Sequence, residues 1–268
     1  MASSTANTSF IASKLAELNK GPLPKLPPLP KVVNKYKDVV VNKENWLDNG
    51  VYWLYNEKQL SLGWHKVRQY RLSGSSTGTA LGHSNFSTPD ELSREMAGLK
   101  EKVFSERQIK VMAVGTLKEP FIRDAYCAKT GYTVIELGFC VPKFDLKIGV
   151  SVDGVVENED GIIEIKAAQR MYKPLIEFTN SGRTTDDIYS HIWRTHYDQM
   201  QLGMKVMGKS WCDYVVMCVT DNQMFIQRVN FNETYWNDVI YPGIKDFLEN
   251  KLYPLLPEDF QIEMPPLS

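Results

Sequence analysis

Gly149-Val150-Ser151-Val152-Asp153-Gly154 and, after a short turn, Ile162-Ile163-Glu164-Ile165-Lys166 decide how this 268-residue chain is read. Both stretches are rich in β-branched residues. The acidic Glu157-Asn158-Glu159-Asp160-Gly161 between them is a turn, so the pair reads as a β-hairpin. Side chains along a strand alternate faces. Glu164 and Lys166 therefore share one face, and Ile163 and Ile165 share the other, which belongs in a core. A hairpin brings Asp153, at the end of the first strand, close to Glu164. Two carboxylates at one point repel unless a cation lies between them. Mg²⁺ suits such a pair, since it takes hard oxygen ligands and keeps several waters. A lysine two residues along can orient or deprotonate one of those waters, or offset charge on a transferring phosphate. The chemistry implied is hydrolysis of a phosphodiester. An E-x-K triplet alone is common on solvated strands; the upstream Asp-Gly and the isoleucine frame set this one apart.

Around the hairpin the chain reads as mixed α and β. A helix is expected over residues 61–70, a second after Ser73-Gly74-Ser75-Ser76, and a long one from Glu106 to Lys129, broken near Gly115 and Pro120. Tyr132 to Leu137 reads as a strand, and Leu146 to Val156 and Gly161 to Ala167 as the strands of the hairpin. Tyr189 to Met207 reads as a helix that keeps Met200, Met204 and Met207 in the core. Cys212 to Thr220 and Gln223 to Asn230 form a second hairpin about Asp221-Asn222, and Asn232 to Leu252 closes the body with a helix. Trp211 and Trp236 read as core residues. The order predicts one sheet with helices packed on it.

Composition bounds the possibilities. With 43% hydrophobic and 24% charged residues the chain has ample material for a core, which excludes wholesale disorder. No apolar stretch is long enough to span a membrane, and no secretory signal is expected. The net charge is -1, so any nucleic-acid surface is local and offset by acid elsewhere. Cys127, Cys140, Cys212 and Cys218 are too widely spaced for a zinc ribbon or an iron-sulfur cluster and read as thiols. Residues 1–44 form a basic, proline-rich leader: Ile11 to Leu18 suits a short helix, and five prolines fall between Pro22 and Pro30. The leader is either a solvated strap or an arm that touches DNA. The body is expected over residues 45–253. Residues 254–268, with Pro254, Pro257, Pro265 and Pro266, are expected to lie outside the fold.

Asp153 with Glu164-Ile165-Lys166 resembles the catalytic motif of the PD-(D/E)XK, restriction-endonuclease-like nucleases. More closely, the chain resembles the phage lambda exonuclease or YqaJ viral recombinase family. Trp64-His65-Lys66-Val67-Arg68 with Arg71-Leu72-Ser73-Gly74-Ser75 is similar to that family's opening segment. Gly115-Thr116-Leu117-Lys118-Glu119-Pro120 is similar to its G-x-x-x-E-P helix. Cys140-Val141-Pro142 leads to the Asp153 strand as in the family, and Tyr197-Asp198-Gln199-Met200-Gln201 resembles its paired-glutamine helix. The likeness runs from about Asn45 to Asn230.

The resemblance implies a PD-(D/E)XK core, a central mixed sheet flanked by helices, and a metal-dependent exonuclease that degrades double-stranded DNA from 5' to 3'. It implies Glu119, Asp153, Glu164 and the Ile165 carbonyl around two Mg²⁺ ions, with Mn²⁺ able to substitute, and Lys166 orienting the attacking water. Glu119, beside Pro120, also suits plain helix-dipole electrostatics. Gln199 is expected at the scissile phosphate or a metal-bound water, with His196 nearby. Arg68 and Ser75 are expected at a terminal 5'-phosphate, which suits a bidentate guanidinium and a helix start; Ser75 is equally an ordinary N-cap. Gln201 and Arg170 are further candidates for DNA contact, within a run of basic and aromatic residues (Arg170, Tyr172, Lys173, Phe178, Arg183, Tyr189, Arg194) able to track a backbone and stack on an end base. The same resemblance implies a trimeric ring, a single-strand annealing protein as partner, and an intracellular setting, host cytoplasm or nucleus if viral. The alternatives are a structure-specific or nicking endonuclease, a Cas4- or RecB-type nuclease, and a non-catalytic DNA-binding module.

Overall fold

A computed structural model describes residues 36–101, 103–183, 189–218 and 220–266. The helix expected at Ile11 to Leu18, the proline run and the basic arm lie outside the described residues, as does the middle of the basic and aromatic run. The strands are β1 (Trp46–Asp48), β2 (Tyr52–Tyr55), β3 (Leu72–Ser73), β4 (Val134–Ile135), β5 (Phe139–Pro142), β6 (Ile148–Gly149), β7 (Gly154–Val156), β8 (Gly161–Ala168), β9 (Trp211–Cys218) and β10 (Met224–Asn230). The main helices are α1 (Leu62–Arg68), α2 (Gly74–Ala80), α3 (Pro89–Met96), α4 (Glu106–Thr130), α5 (Lys173–Asn180) and α6 (Arg194–Met207). A C-terminal helical run follows, alternating α turns at Glu233–Tyr235 and Tyr241–Asp246 with π turns at Trp236–Ile240 and Phe247–Leu252.

The central sheet has the order β10-β9-β8-β7-β4. Its β8–β9 pair is parallel and its other pairs are antiparallel, so it is mixed. The expected hairpins at Asp153/Glu164 and about Asp221-Asn222 are both present, and Asn158 takes a positive φ of 60° in the first turn. Period-2 alternation places β8 as expected. Ile163 and Ile165 pack with Ile122 and Tyr126 of α4 and with Val215 on one face. Ile162 lies on the other face with Met200, Met204 and Tyr214, under α6. The methionine stripe, Trp211 and Trp236 are core residues.

The architecture departs from a single sheet. An antiparallel β1-β2-β5 sheet and a parallel β3-β6 pair stand beside the central one. The single strand expected over Leu146 to Val156 divides between them. Ile148 and Gly149 pair with Leu72 and Ser73, Val150 bridges to Cys140, and only Gly154 onward joins β8. Gly149 permits the changeover: a Cβ there would lie 2.5 Å from the Phe139 ring and 2.9 Å from the Cys140 carbonyl oxygen. The chain thus crosses from one sheet to the next immediately before Asp153. The strand expected at Tyr132 to Leu137 shrinks to Val134–Ile135.

The long helix runs unbroken through Pro120. Proline removes one backbone hydrogen bond there, and firm ends hold the helix. Ser105 and Gln108 form a capping box, and Gly131, at φ 78°, closes the C-terminus onto the Cys127 carbonyl at 2.8 Å. The helix expected from Tyr189 starts only at Arg194: Tyr189 has φ 49°, outside the right-handed helical region, and Trp193, at ψ 130°, is the N-cap. The C-terminal segment is part of the fold. Phe260 packs edge-on to Tyr70 at 5.8 Å, and Arg71, 1% exposed, donates from Nη2 to the Glu263 carbonyl at 2.5 Å. The Glu263 carbonyl gives this proline-bearing segment an anchor that composition does not reveal.

Candidate active site

The crossing at Val150 to Asp153 delivers Asp153 to the open end of β7, against the middle of β8. Its Oδ2 accepts a 2.6 Å hydrogen bond from the Ile165 backbone N–H. A strand residue projects N–H and C=O to the same edge, so the Ile165 carbonyl faces the Asp153 side, away from β9. Glu164 and Lys166 point to the α6 face, and the Lys166 Nζ lies 2.6 Å from Glu164 Oε1. It also donates to Gln199 Oε1 of α6 at 3.2 Å. Four of the expected residues, Asp153, Glu164, Lys166 and Gln199, therefore meet where β7 begins, beside the middle of β8 and the first half of α6.

Burial and mutual repulsion govern their charges. Glu164 is 4% exposed, and burial, reinforced by Asp153 and opposed by Lys166, pushes its carboxyl up to about 8. Asp153 is raised by burial as well, against the pull of Lys166. Burial works to discharge Lys166, but Glu164 and Asp153 outweigh it and raise its pKa, so the side chain is an ammonium. His196 donates to or accepts from the Tyr214 hydroxyl at 2.7 Å. Burial, then the Lys166 charge, depresses it to about 3, so its ring is neutral.

Glu119 is a half-buried neighbour of this group and shares no hydrogen bond with its side chains. It sits in mid-helix on α4, across the sheet from α6, and not at a helix start. Arg123 Nη2 holds it at 2.9 Å, while the same guanidinium bonds the Asp153 carbonyl through Nε at 3.1 Å and pairs with Glu136. Burial, then the Asp153 charge, raises its pKa against the pull of Arg123 and Lys166, and its own charge helps to raise Glu164, so it acts on the cluster electrostatically. Among the described residues no three His, Cys, Asp or Glu side chains converge closely enough to hold a metal ion. The donor chemistry of Asp153, Glu164 and the Ile165 carbonyl is nonetheless that of a hard divalent cation: oxygen ligands, two of them acidic and mutually repelling.

Arg68 and Ser75 are together, with an addition. Arg68 Nη2 bonds Ser75 Oγ at 3.0 Å and Ser73 Oγ at 2.6 Å, and its guanidinium lies 4.7 Å from the Trp64 ring centre. Burial lowers the pKa of Arg68. A cavity of about 580 Å³ opens beside it, walled by His65, Arg71, Ser73 and Ser76. The N-cap of α2 is Ser73, so Ser75 lies inside the helix rather than capping it.

Gln201 is a correction. It is fully buried, its Nε2 donating to the Asn230 carbonyl at 2.9 Å and its Oε1 accepting from the Asn232 N–H at 2.8 Å. Its amide ties α6 to the end of β10 and has no face for DNA. Arg170 is exposed just beyond the end of β8. Sequence reasoning missed Arg123, Ser73, Tyr214 and Trp193. Only Ser73, inside the quoted Ser/Gly run, carried a local signal.

The sequence profile of the YqaJ-like viral recombinase domain matches residues 63–210, a span that holds every residue of this cluster. Among solved structures, LHK-Exo, an alkaline exonuclease from Laribacter hongkongensis, aligns with a TM-score of 0.57 at 23% identity over 73% of this chain and 94% of its own. Its complex with dAMP aligns with a TM-score of 0.58 at 22% identity over the same shares. These two share the fold, a mixed α/β core with a central mixed sheet flanked by helices. No curated protein sequence matches the chain. With more than half of its residues matched in one continuous span, the chain belongs to the YqaJ-like viral recombinase domain family.

Proposed function

We propose that this protein is a metal-dependent deoxyribonuclease that digests double-stranded DNA from its ends, 5' to 3', leaving a 3' single strand for recombination or DNA processing. The carrying observation is the Asp153–Glu164–Lys166–Gln199 cluster, in which a buried Glu164 and a half-buried Asp153 sit beside a half-buried ammonium and amide. Asp153, Glu164 and the Ile165 carbonyl would hold one or two Mg²⁺ ions, with Mn²⁺ able to substitute, which supply an activated water and charge neutralisation at the leaving 3'-oxygen. Lys166 orients the water and offsets charge on the phosphate. Gln199 holds the Lys166 ammonium and contacts the phosphate. Hydrolysis breaks the P–O3' bond, releases a 5'-mononucleotide and leaves a new 5'-phosphate. Arg68, with Ser73 and Ser75, receives that phosphate, so each turnover regenerates the end that the site binds. A closed ring of subunits and a single-strand annealing partner belong to this proposal on family resemblance.

The test is Mg²⁺-dependent digestion of end-labelled linear duplex, with and without a 5'-phosphate, beside covalently closed circles and a Lys166→Ala control. Expected are loss of nucleotides from 5' ends, intact circles, and a rate at least about 100-fold lower in the variant. Cutting of circles would replace the exonuclease with an endonuclease and strip Arg68 of its role. No cleavage of any DNA would overturn the proposal.

A further inference from the structure

The chain leaves β8 two residues after Lys166 and reaches Tyr172, the N-cap of α5; Trp193 is the N-cap of α6. The two rings are stacked, with centroids 4.5 Å apart and planes 16° apart. His196 leans on both, 5.3 Å from the Trp193 ring and 6.2 Å from that of Tyr172. Its bond to Tyr214 holds it in place. The cluster adjoins the catalytic lysine, since the Lys166 charge acts on both Tyr172 and His196.

Two features set this stack apart from ordinary core packing. Neither N-cap side chain accepts a first-turn N–H, so both helices forgo the stabilisation of a Ser, Thr, Asp or Asn cap and place an aromatic ring there instead. Tyr172 is half-buried while Trp193 is 41% exposed, so the indole presents its surface to solvent on a ring fixed from below. A single exposed apolar residue is unremarkable. An exposed indole stacked on a second ring, beside a lysine poised for phosphodiester hydrolysis, is a surface shaped for another flat ring.

We infer that the Tyr172–Trp193 stack is a nucleobase platform: the base of the terminal 5' nucleotide, whose 3'-side phosphate is hydrolysed at Lys166, lies on the exposed face of Trp193. This rests on the proposed hydrolysis at Asp153, Glu164 and Lys166. The terminal nucleotide must part from its complement and neighbour to reach a recessed site, and so loses its stacking in the duplex. The platform replaces that stacking. Every base has a π-face, so the contact tolerates any sequence, as continuous digestion requires.

The test uses a duplex with 2-aminopurine as the 5'-terminal base and an uncleavable methylphosphonate at the adjoining linkage, read by fluorescence quenching and anisotropy. Stacking on Trp193 quenches the 2-aminopurine in the wild-type complex. Trp193→Ala is expected to abolish the quenching and weaken binding about tenfold, the order of loss for one base-stacking ring. Trp193→Phe should restore most of both. A duplex ending in an abasic nucleotide should bind wild type and Trp193→Ala alike. Wild-type quenching and affinity in Trp193→Ala would overturn the platform, as would an equal loss on the abasic duplex. Because binding is read without cleavage, failure of the hydrolysis assay and failure of the platform are separate results.

Discussion

At the scale of single residues, the site is an unstable balance of charge. Burial first, then Asp153, pushes Glu164 up to about 8, well above an ordinary carboxylic acid. A carboxyl whose folded-state pKa lies above its unfolded value stabilises the fold while protonated. That contribution is complete below the ordinary carboxylate range and is lost as pH rises through about 8. Asp153 and Glu119 are raised too and act in the same direction. Lys166 is also raised, but from a lysine's ordinary value, so its contribution disappears only at strongly alkaline pH. Without divalent cation, the melting temperature is therefore expected to fall between about pH 5 and 8. Mg²⁺ should reverse the fall by replacing the proton, so the rise in melting temperature on adding Mg²⁺ is larger at about pH 8 than at about pH 6. Thermal unfolding at both pH values checks this, and an equal Mg²⁺ effect at each would disconnect Glu164 from the cation.

Between elements, the spacing of α2 and α6 sets the distance from the Arg68 pocket to the Asp153–Glu164–Lys166 cluster. A Cβ on Gly78 would lie 2.7 Å from the Thr195 Cα, a backbone atom that cannot swing aside, and one on Gly74 would meet the Gln199 side chain at 3.4 Å. Gly78→Ala must push the helices apart. It should cost about 1–3 kcal/mol and lower the rate of end digestion, because Ser75 and Gln199 ride on the two helices that separate. Gly115→Ala, in α4, is the contrasting change, since nothing lies within 4 Å of a Cβ there. It should raise stability by up to about 1 kcal/mol through helix propensity and leave activity unaltered. Urea unfolding midpoints and initial rates distinguish the two substitutions.

Across the whole molecule, the pocket near the start of the domain is tied to its far end. Arg71 is buried and donates to the carbonyls of Leu146, Val67 and Glu263, the last of them 192 residues away. Phe260 meanwhile covers Tyr70 and Tyr253. Ending the chain after Pro257 would take one acceptor from a buried guanidinium and uncover the Tyr253 ring and that of Tyr70, which lines the cavity beside Arg68. The expected loss is at least about 2 kcal/mol, read as a lowered urea midpoint, with poorer discrimination between phosphorylated and unphosphorylated 5' ends. Unchanged stability and discrimination would mean that the segment only rests on the surface. Four free cysteines and the lack, among the described residues, of any helix long and apolar enough to cross a membrane complete the molecular picture.

Much of the centre is legible in the sequence alone. The two-residue period of Ile162 to Lys166 alone assigns Glu164 and Lys166 to one face and the isoleucines to the other, because side-chain direction in a strand is a local property. The long helix was legible as a span from Glu106 to Lys129, while its unbroken passage through Pro120 was not. Gln199 was legible only as part of a motif, and its bond to Lys166, 33 residues away, depends on α6 packing over the α6-side face of β8. Gln201, two residues on, looks identical in sequence and is buried against β10 instead, since a helix turns about 100° per residue and sends the two amides to different neighbours. Glu119 sits in an equally recognisable motif, but its link to the cluster through Arg123, which bonds both its carboxylate and the Asp153 carbonyl, comes from the packing of α4 on the sheet. The three-way division of the strands and the stack of Tyr172 on Trp193 had no periodic signal at all. Periodicity reports which way a side chain points within its own element; which side chains then meet is decided by how helices and sheets pack, over separations of tens of residues that no local pattern encodes.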